Sequence, residues 1–405
     1  MKTLKTILVA IIAIILLVQI PFIYRRYRTG NLADKIAELQ SQRTVRENEG
    51  LNEYKGIIHA HTNLGGHSTG SFDELIAAAN ANGLDFVLMT EHYSESYDTS
   101  ALTLNGVYGQ TLFVGGNEID TADSDRFLMI PGSHEAATLR NVPTNAVLEK
   151  LHSENRLAFV TYPEKLKSWD ANFDGIEIFS LHTNAKTINP FTGLFDVIWS
   201  FPAYPELTFA RYFKRPDTNL QKFDEIAARR KLSLFAGTDG HSNIGFHFFG
   251  DDAGNKLINF KIDDYETIFR LARAHIIIEK DKPMTRENLI DALKYGRSFI
   301  GFDVLGDTTG FSFTASGPQS NWQMGDEVPL SLDLKLTASA PLSARFVFYK
   351  NGEVVAESSE SGEIASTQQI GITESGTYRV EVYLDQLGSP FDKMPWIISN
   401  PIYVR

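Results

Sequence analysis

Residues 57–70 read IIHAHTNLGGHSTG and place His59, His61 and His67, three of the chain's ten histidines, within nine positions. On an extended strand, side chains two apart point the same way, so His59 and His61 can converge on one ion while Ile58 and Ala60 face the other side. A single His-x-His arises often by chance, so its surroundings carry the argument. His92 closes the next apolar run in MTEH and Glu118 the third in GGNEI; His134 follows the fourth in PGSHE and His182 the sixth in IFSLHT, while Asp239 and His241 close the seventh in GTDGH. In parallel α/β folds the carboxyl ends of strands form one functional rim, so these groups are expected to meet there. Imidazole and carboxylate without thiolate suit Zn²⁺, Mn²⁺ or Fe, and the ligands suffice for two or three divalent ions.

The elements that must position them follow from the apolar pattern. KGIIHAH is a strand, SFDELIAAANANG a helix with Ser71 and Glu74 at capping-box spacing and Gly83 as its left-handed stop, and LDFVLMT the next strand. Such a βαβ unit normally has parallel strands. Further strands are expected at 111–119, 126–132, 157–162, 174–180 and 232–239, with helices in TNAVLEKLHSEN and KFDEIAARRK. Seven strands fit either a closed (β/α) barrel or a doubly wound open sheet. After about residue 305 the pattern alternates with period two, and Asn351-Gly352 between two such runs signals a hairpin. Residues 306–405 read as an all-β sandwich that contains no histidine, so the chemistry belongs to the segment before it.

Composition narrows the partners. With 43% apolar residues the 405-residue chain can bury two cores, and a net charge of −12 argues against a non-specific grip on nucleic acid. An anionic substrate must then be held locally, for example by metal ions. The absence of cysteine removes disulfides, thiolate sites and cysteine nucleophiles. Residues 7–24 are almost wholly apolar between Lys2/Lys5 and Arg25, Arg26 and Arg28. As a helix they span roughly 27 Å, enough for a hydrocarbon core, and no small-residue cleavage pattern follows. The sequence therefore predicts a single-pass anchor over 1–28, a helical stalk or linker over 29–54, and a catalytic body outside the cytoplasm, in the periplasm or beyond.

The order HAHT, His67, TEH, a glutamate after a Gly-rich strand, and GTDGH resembles the polymerase-and-histidinol-phosphatase (PHP) superfamily of metal-dependent phosphoesterases, over residues 55–305. The resemblance implies a distorted (β/α)7 barrel with up to three metals. LIDALKYGRSFIG, the Asn-Gly hairpin, GTYRVEVYL and PWIISNPIYVR resemble the sandwich appended in a branch that includes carbamate-hydrolase-like members. Carried over by position, His59, His61, Glu118 and Asp239 would hold one ion with Glu118 shared, and His67, His92 and His241 another. His134 and His182 are the imidazoles available for the partner ion of the shared pair. Tyr162 in TYPEK and Arg126 stand where many relatives have histidine, which leaves phenol ligation or a two-metal centre open. The implied reaction is hydrolysis of a small phosphomonoester or phosphodiester by a hydroxide bridging two ions, with His59, Glu118, Asp239 and His241 as the catalytic set. The same centre could cleave an amide or carbamate, or bind a ligand without turnover.

Of the other histidines, His152 and His275 are expected on the surface or in the core, and a place for His247 beside the ligands or the substrate is the less favoured alternative. Residues 185–216 hold eight aromatics in 32 positions. Such an insertion would cover the site, contact lipid, or form a satellite apolar cluster, and Lys186, Arg211, Lys214 and Arg215 could reach a phosphate.

Overall fold

A computed structural model describes residues 2–45, 50–250, 256–318, 320–358 and 366–405, with the backbone alone described at 2, 246–250 and 256–260. The chain is mixed α/β. Helix α1 (Lys2–Ser41) leads into β1 (Leu51–Ala60), followed by α2 (Phe72–Ala81), β2 (Phe86–His92), β3 (Thr111–Asp120) and β4 (Arg126–Ile130). Next come α3 (Thr144–Ser153), β5 (Leu157–Val160), β6 (Gly175–Ser180), α4 (Leu181–Ala185), α5 (Pro190–Trp199), α6 (Asp217–Ala227) and β7 (Ser233–Gly237). Strands β8 (Arg273–Glu279) and β9 (Ser298–Gly301) complete the first part, and the sheet order is β9-β8-β1-β2-β3-β4-β5-β6-β7. The sheet curls far enough for β7 to reach the second half of β1: Thr238 N–H donates to Ile58 C=O at 3.1 Å and His61 N–H to Gly240 C=O at 3.0 Å.

The expected αβ signals form as read. Ser71 and Glu74 make both bonds of the capping box, and Gly83 has φ +59°. The concave face of the curl is packed by Ile58, Phe86, Leu88, Val114, Leu128, Phe159 and Phe235, and the convex face by Ile57, Val87, Met89, Ile176 and Leu234 against the helices.

Two features depart from expectation. Strand β4 runs antiparallel to both β3 and β5, because only residues 121–125 join it to β3, too few for a crossover. Its start, not its end, therefore lies on the rim shared by the carboxyl ends of the others. Helix α1 is also no free stalk: Leu32 and Leu39, with Ile36 between them, lie on the body in a one-sided stripe, while most apolar residues from Leu4 to Ile23 stay exposed. Residues 51–54, expected in the linker, already belong to β1, where Leu51–Tyr54 pair with Glu279–Ile276.

The C-terminal region has two β layers. Ser312–Ser316, Asn321–Gln323, Lys335–Ala340 and Ser366–Gly371 form a separate four-stranded sheet. The other layer, built on Arg345–Lys350, Gly376–Tyr383 and Ile397–Ser399, continues the first sheet because Ile397–Ser399 pairs with β9. Asn351 and Gly352, at φ +51° and +89°, make the expected hairpin turn. The buried Asn400 amide bonds both Leu234 N–H (2.8 Å) and C=O (2.9 Å), and Tyr403 Oη bonds Leu232 N–H and C=O at 2.9 Å each. The C-terminal layer thus grips β7 directly.

Candidate metal centre

His59 and His61 come together by a different route from simple alternation. Strand β1 shifts register against β2 between Ile58 and Ala60, and His59 sits in the left-handed region at φ +70°. The bulge lets Ile58 stay in the concave core while both imidazoles, almost fully buried, face the rim above it with ring centroids 5.0 Å apart. Asp239, at φ +47°, occupies the same unusual region after β7. Two non-glycine residues held there within one cluster mark strain that the surrounding fold must hold in place.

Around these two rings lie Glu118 from the end of β3 and Asp239. His59 Nε2 is 3.6 Å from Glu118 Oε2 and 3.4 Å from Asp239 Oδ1, and His61 Nε2 is 3.4 and 3.3 Å from the same two oxygens. All four atoms are buried and have no hydrogen-bond partner among the described residues. Ligands on a tetrahedral ion with bonds of about 2.1 Å sit about 3.4 Å from one another. His59, His61, Glu118 and Asp239 thus form one group able to hold a divalent cation, and His61, His92 and His241 form a second. The His61 ring stacks on His92 at 4.6 Å and on His241 at 4.4 Å.

Neighbouring groups fix the lone pairs. His59 Nδ1–H donates to Glu177 at 3.0 and 3.2 Å, since a carboxylate can only accept, and this leaves Nε2 facing the cluster. His241 Nδ1–H donates to the Asp239 carbonyl at 2.8 Å, which frees its Nε2. Glu91 holds the turn after His61 by accepting from Thr62 N–H (3.0 Å) and Oγ1–H (2.6 Å). Tyr265 donates to the His61 carbonyl at 2.5 Å and passes so close to Gly70 that a Cβ there would lie 2.0 Å from its hydroxyl, so residue 70 must be glycine.

Charge in the cluster favours a cation. Burial drags His61 down to about 4 and His92 down to about 3, so both are neutral and keep a lone pair. His59 moves the other way: burial opposes its charge, but Glu177 and Asp239 outweigh burial. Glu118 is likewise held at about 2, as burial is outweighed by His59.

The remaining expected ligands lie elsewhere. His67 is exposed on the loop after β1, its ring 4.8 Å edge-on from His92, and His182 is half-buried with its ring 5.9 Å from His241. Neither belongs to the two groups, though both line the adjoining cavity. His134 is corrected outright. It follows β4, whose reversed direction carries it to the opposite rim, where it is exposed.

Arg126, at the start of β4, takes the place on the functional rim instead. Its guanidinium pairs with Asp120 at 2.7 Å and with Glu118 Oε1 at 3.4 Å, and lies 5.4 Å over the Tyr162 ring. The Tyr162 hydroxyl donates to Asp239 Oδ2 at 2.5 Å, and burial together with Asp239 raises its pKa, so without an ion the phenol keeps its proton. Glu177 was not anticipated; its signal was one charged residue inside the apolar run DGIEIFS.

His152 pairs with Asp174 at 3.0 Å, His275 is wholly buried in the core, and the His247 side chain lies outside the described residues. Lys186 comes within 5.5 Å of the Tyr162 ring, whereas Arg211 bonds helix α1 and Arg215 bonds Glu381.

No protein-family model matches this chain, and no curated protein matches it in sequence. Among solved structures, PsfC from Pseudomonas syringae PB-5123 is similar at 12% identity and TM-score 0.36, over 63% of this chain and 94% of that one. A two-domain protein containing a predicted PHP-like metal-dependent phosphoesterase, from Bacteroides vulgatus ATCC 8482, is similar at 12% identity and TM-score 0.36, over 88% of this chain and 98% of that one. Likenesses at that TM-score carry no chemistry across, which leaves the geometry of the centre to speak for itself.

Proposed function

We propose that the chain is a membrane-anchored, metal-dependent phosphoesterase of PHP type, built on a distorted (β/α)7 barrel. One observation carries the reading: buried lone-pair atoms of His59, His61, Glu118 and Asp239, all without hydrogen-bond partners among the described residues, converge at the ligand spacing of a divalent ion. With His61 Nε2 turned to the first ion, His92 and His241 would hold a second, with His67 at its margin. The Arg126 guanidinium pairs with Glu118 Oε1 at 3.4 Å and so competes for that oxygen, and two ions of Zn, Mn or Fe would suit the centre best.

Bound divalent ions supply Lewis acidity that neutralises phosphoryl oxygens and makes water nucleophilic near neutral pH. The chain's own groups do the rest. His59, Glu118, Asp239 and His241 act by holding the ions, and Glu177 and the Asp239 carbonyl aim two of the imidazoles. Arg126, braced by Asp120, faces the cavity with N–H groups able to hold a phosphoryl oxygen. His182, on the same wall, stands where it can pass a proton to the leaving oxygen. The acidic chain and the apolar α1 make a small phosphate ester, not nucleic acid, the expected substrate, and an extracytoplasmic body the expected placement.

The test uses the full chain in detergent, its metal content, and nitrophenyl phosphate, bis-nitrophenyl phosphate and an aryl carbamate as substrates. About two transition ions per chain with turnover of a phosphate ester is expected, and Asp239→Ala should lose metal and activity together. Turnover of the carbamate alone, or normal activity in Asp239→Ala, overturns the assignment.

A further inference from the structure

The phosphoesterase reading leaves the substrate's non-phosphate part open, and the 185–216 insertion bears on it. Helix α5 lies against α1 where the apolar run of α1 ends. Phe22 stacks on Phe195 at 4.6 Å and meets Phe191 edge-on at 6.1 Å, and Trp199 Nε1–H donates to Gln19 Oε1 at 2.8 Å. Arg25 closes the contact on the buried Asp196 at 2.9 Å. This places α5 beside residues 19–26 of α1, at the depth where an apolar span gives way to Tyr24, Arg25, Arg26, Tyr27 and Arg28. Aromatic and basic residues gather at that depth in a bilayer.

The outer side of α5 is apolar as well. Phe191, Leu194 and Ile198, one stripe by their spacing, are 56%, 53% and 53% exposed, and they extend the exposed apolar surface of α1 formed by Ile20 and Ile23. In water that combined surface would be costly; among lipid chains it is not.

The inner side of the same insertion walls the metal cavity. That cavity, about 530 Å³, is lined by the rim histidines and Arg126 and also by Leu181, Ala185, Ile188, Phe209 and Phe213. Ile188 packs on α5 itself: a Cβ on Gly193 would meet its Cγ2 at 3.1 Å. An apolar wall and a bilayer-level helix therefore stand back to back, one side chain thick. A bare phosphate needs neither the volume nor the wall.

We propose that the substrate is a membrane amphiphile, a phosphate ester with acyl tails drawn from the bilayer at α5, whose headgroup reaches the metal centre while its chain lies along Ile188, Phe209 and Phe213. This rests on the phosphoesterase reading. In the reaction a water oxygen forms the new bond to phosphorus, the ester P–O bond breaks, and one water proton ends on the leaving oxygen.

The experiment compares kcat/KM of the metal-loaded full chain in mixed micelles for dioleoyl phosphatidate and dioleoyl phosphatidylglycerol with that for their dibutyryl counterparts. Nitrophenyl phosphate is the soluble reference. At least a tenfold preference for one dioleoyl substrate is expected. The double variant Leu194→Asp, Ile198→Asp should lower the dioleoyl rate about tenfold relative to the nitrophenyl phosphate rate. Turnover of nitrophenyl phosphate with no preference for long chains overturns the amphiphile inference and leaves the phosphoesterase standing. No turnover of any phosphate, in a chain that carries its metals, overturns both.

Discussion

Removing Glu177 separates the orientation of one proposed metal ligand, His59, from the presence of that ligand. Glu177 is 1% exposed and accepts from His59 Nδ1–H on both carboxylate oxygens, and Thr161 donates to it from the other side. That contact fixes the tautomer and holds Nε2 3.4 Å from Asp239 Oδ1. Loss of such a partner behind a ligating histidine costs about 10–100-fold in metal affinity. At 1.36 kcal/mol per decade this is about 1.4–2.7 kcal/mol. Glu177→Ala should reach the upper part of that range. Glu177→Gln, whose carbonyl still accepts but carries no charge, should stay near tenfold. Gly237→Ala attacks the same contact from β7, because a Cβ there would lie 1.7 Å from Glu177 Oε1 and 3.1 Å from His59 Cβ, so the carboxylate must move away. Chelator competition on the metal-free full chain measures the affinities, and far-UV circular dichroism of each metal-free variant separates lost affinity from lost fold. Wild-type affinity in both Glu177→Ala and Gly237→Ala would refute the claim that Glu177 aims His59.

Arg126→Ala should lower kcat/KM for phosphate esters about 100-fold, the scale of losing one charged donor to a transition-state oxygen, with partial recovery in Arg126→Lys; an unchanged value contradicts its role. His275, between Asp303 and Glu53 and far from the rim, is pushed up to about 9 because those carboxylates outweigh its burial. Its folded pKa exceeds the unfolded value of about 6.5, so up to ~3 kcal/mol of stability is complete below pH 6.5 and fades as pH rises towards 9. Thermal midpoints of the metal-free chain from pH 6 to 9.5 should fall accordingly, and His275→Gln should flatten the slope; an identical slope in the variant counts against it. Arg379→Ala leaves the buried carboxylates of Asp224 and Glu381 without their shared cation and should cost about 3–5 kcal/mol in denaturant unfolding, so a loss below about 1 kcal/mol would disprove the network's importance.

Much of the centre was legible because ligand chemistry restricts residue type. Histidines and carboxylates at the ends of apolar runs could be seen without any knowledge of the sheet, and His59, His61, His92, Glu118, Asp239 and His241 do come together. His134 was misplaced because strand direction is not written in composition. The short link at 121–125 was the available signal for a reversal that puts Arg126 on the rim in its stead. The bulge at His59 escaped notice for a related reason: HAH satisfies period two on paper, whereas the real strand keeps Ile58 and His59 on one face through a left-handed residue. Glu177 went unread because its partner is distant in sequence. The stripe of Leu32, Ile36 and Leu39 is hidden in a segment that is polar overall, so the sequence predicts a stalk from residue 29 where the structure packs this part of α1 on the body.

The bonds from Asn400 and Tyr403 to β7 also bear on the order of events during synthesis. They reach back 166 and 171 positions to the strand that delivers Asp239. A ribosome releases α1 and the histidines of β1 early, while the residues that clamp β7 in register do not yet exist. Contacts so distant along the chain form late and slowly. The clamp on β7 is therefore complete only when translation has passed residue 403. Every histidine and carboxylate of the cluster is thus synthesised before the clamp that holds the strand ahead of Asp239 in register.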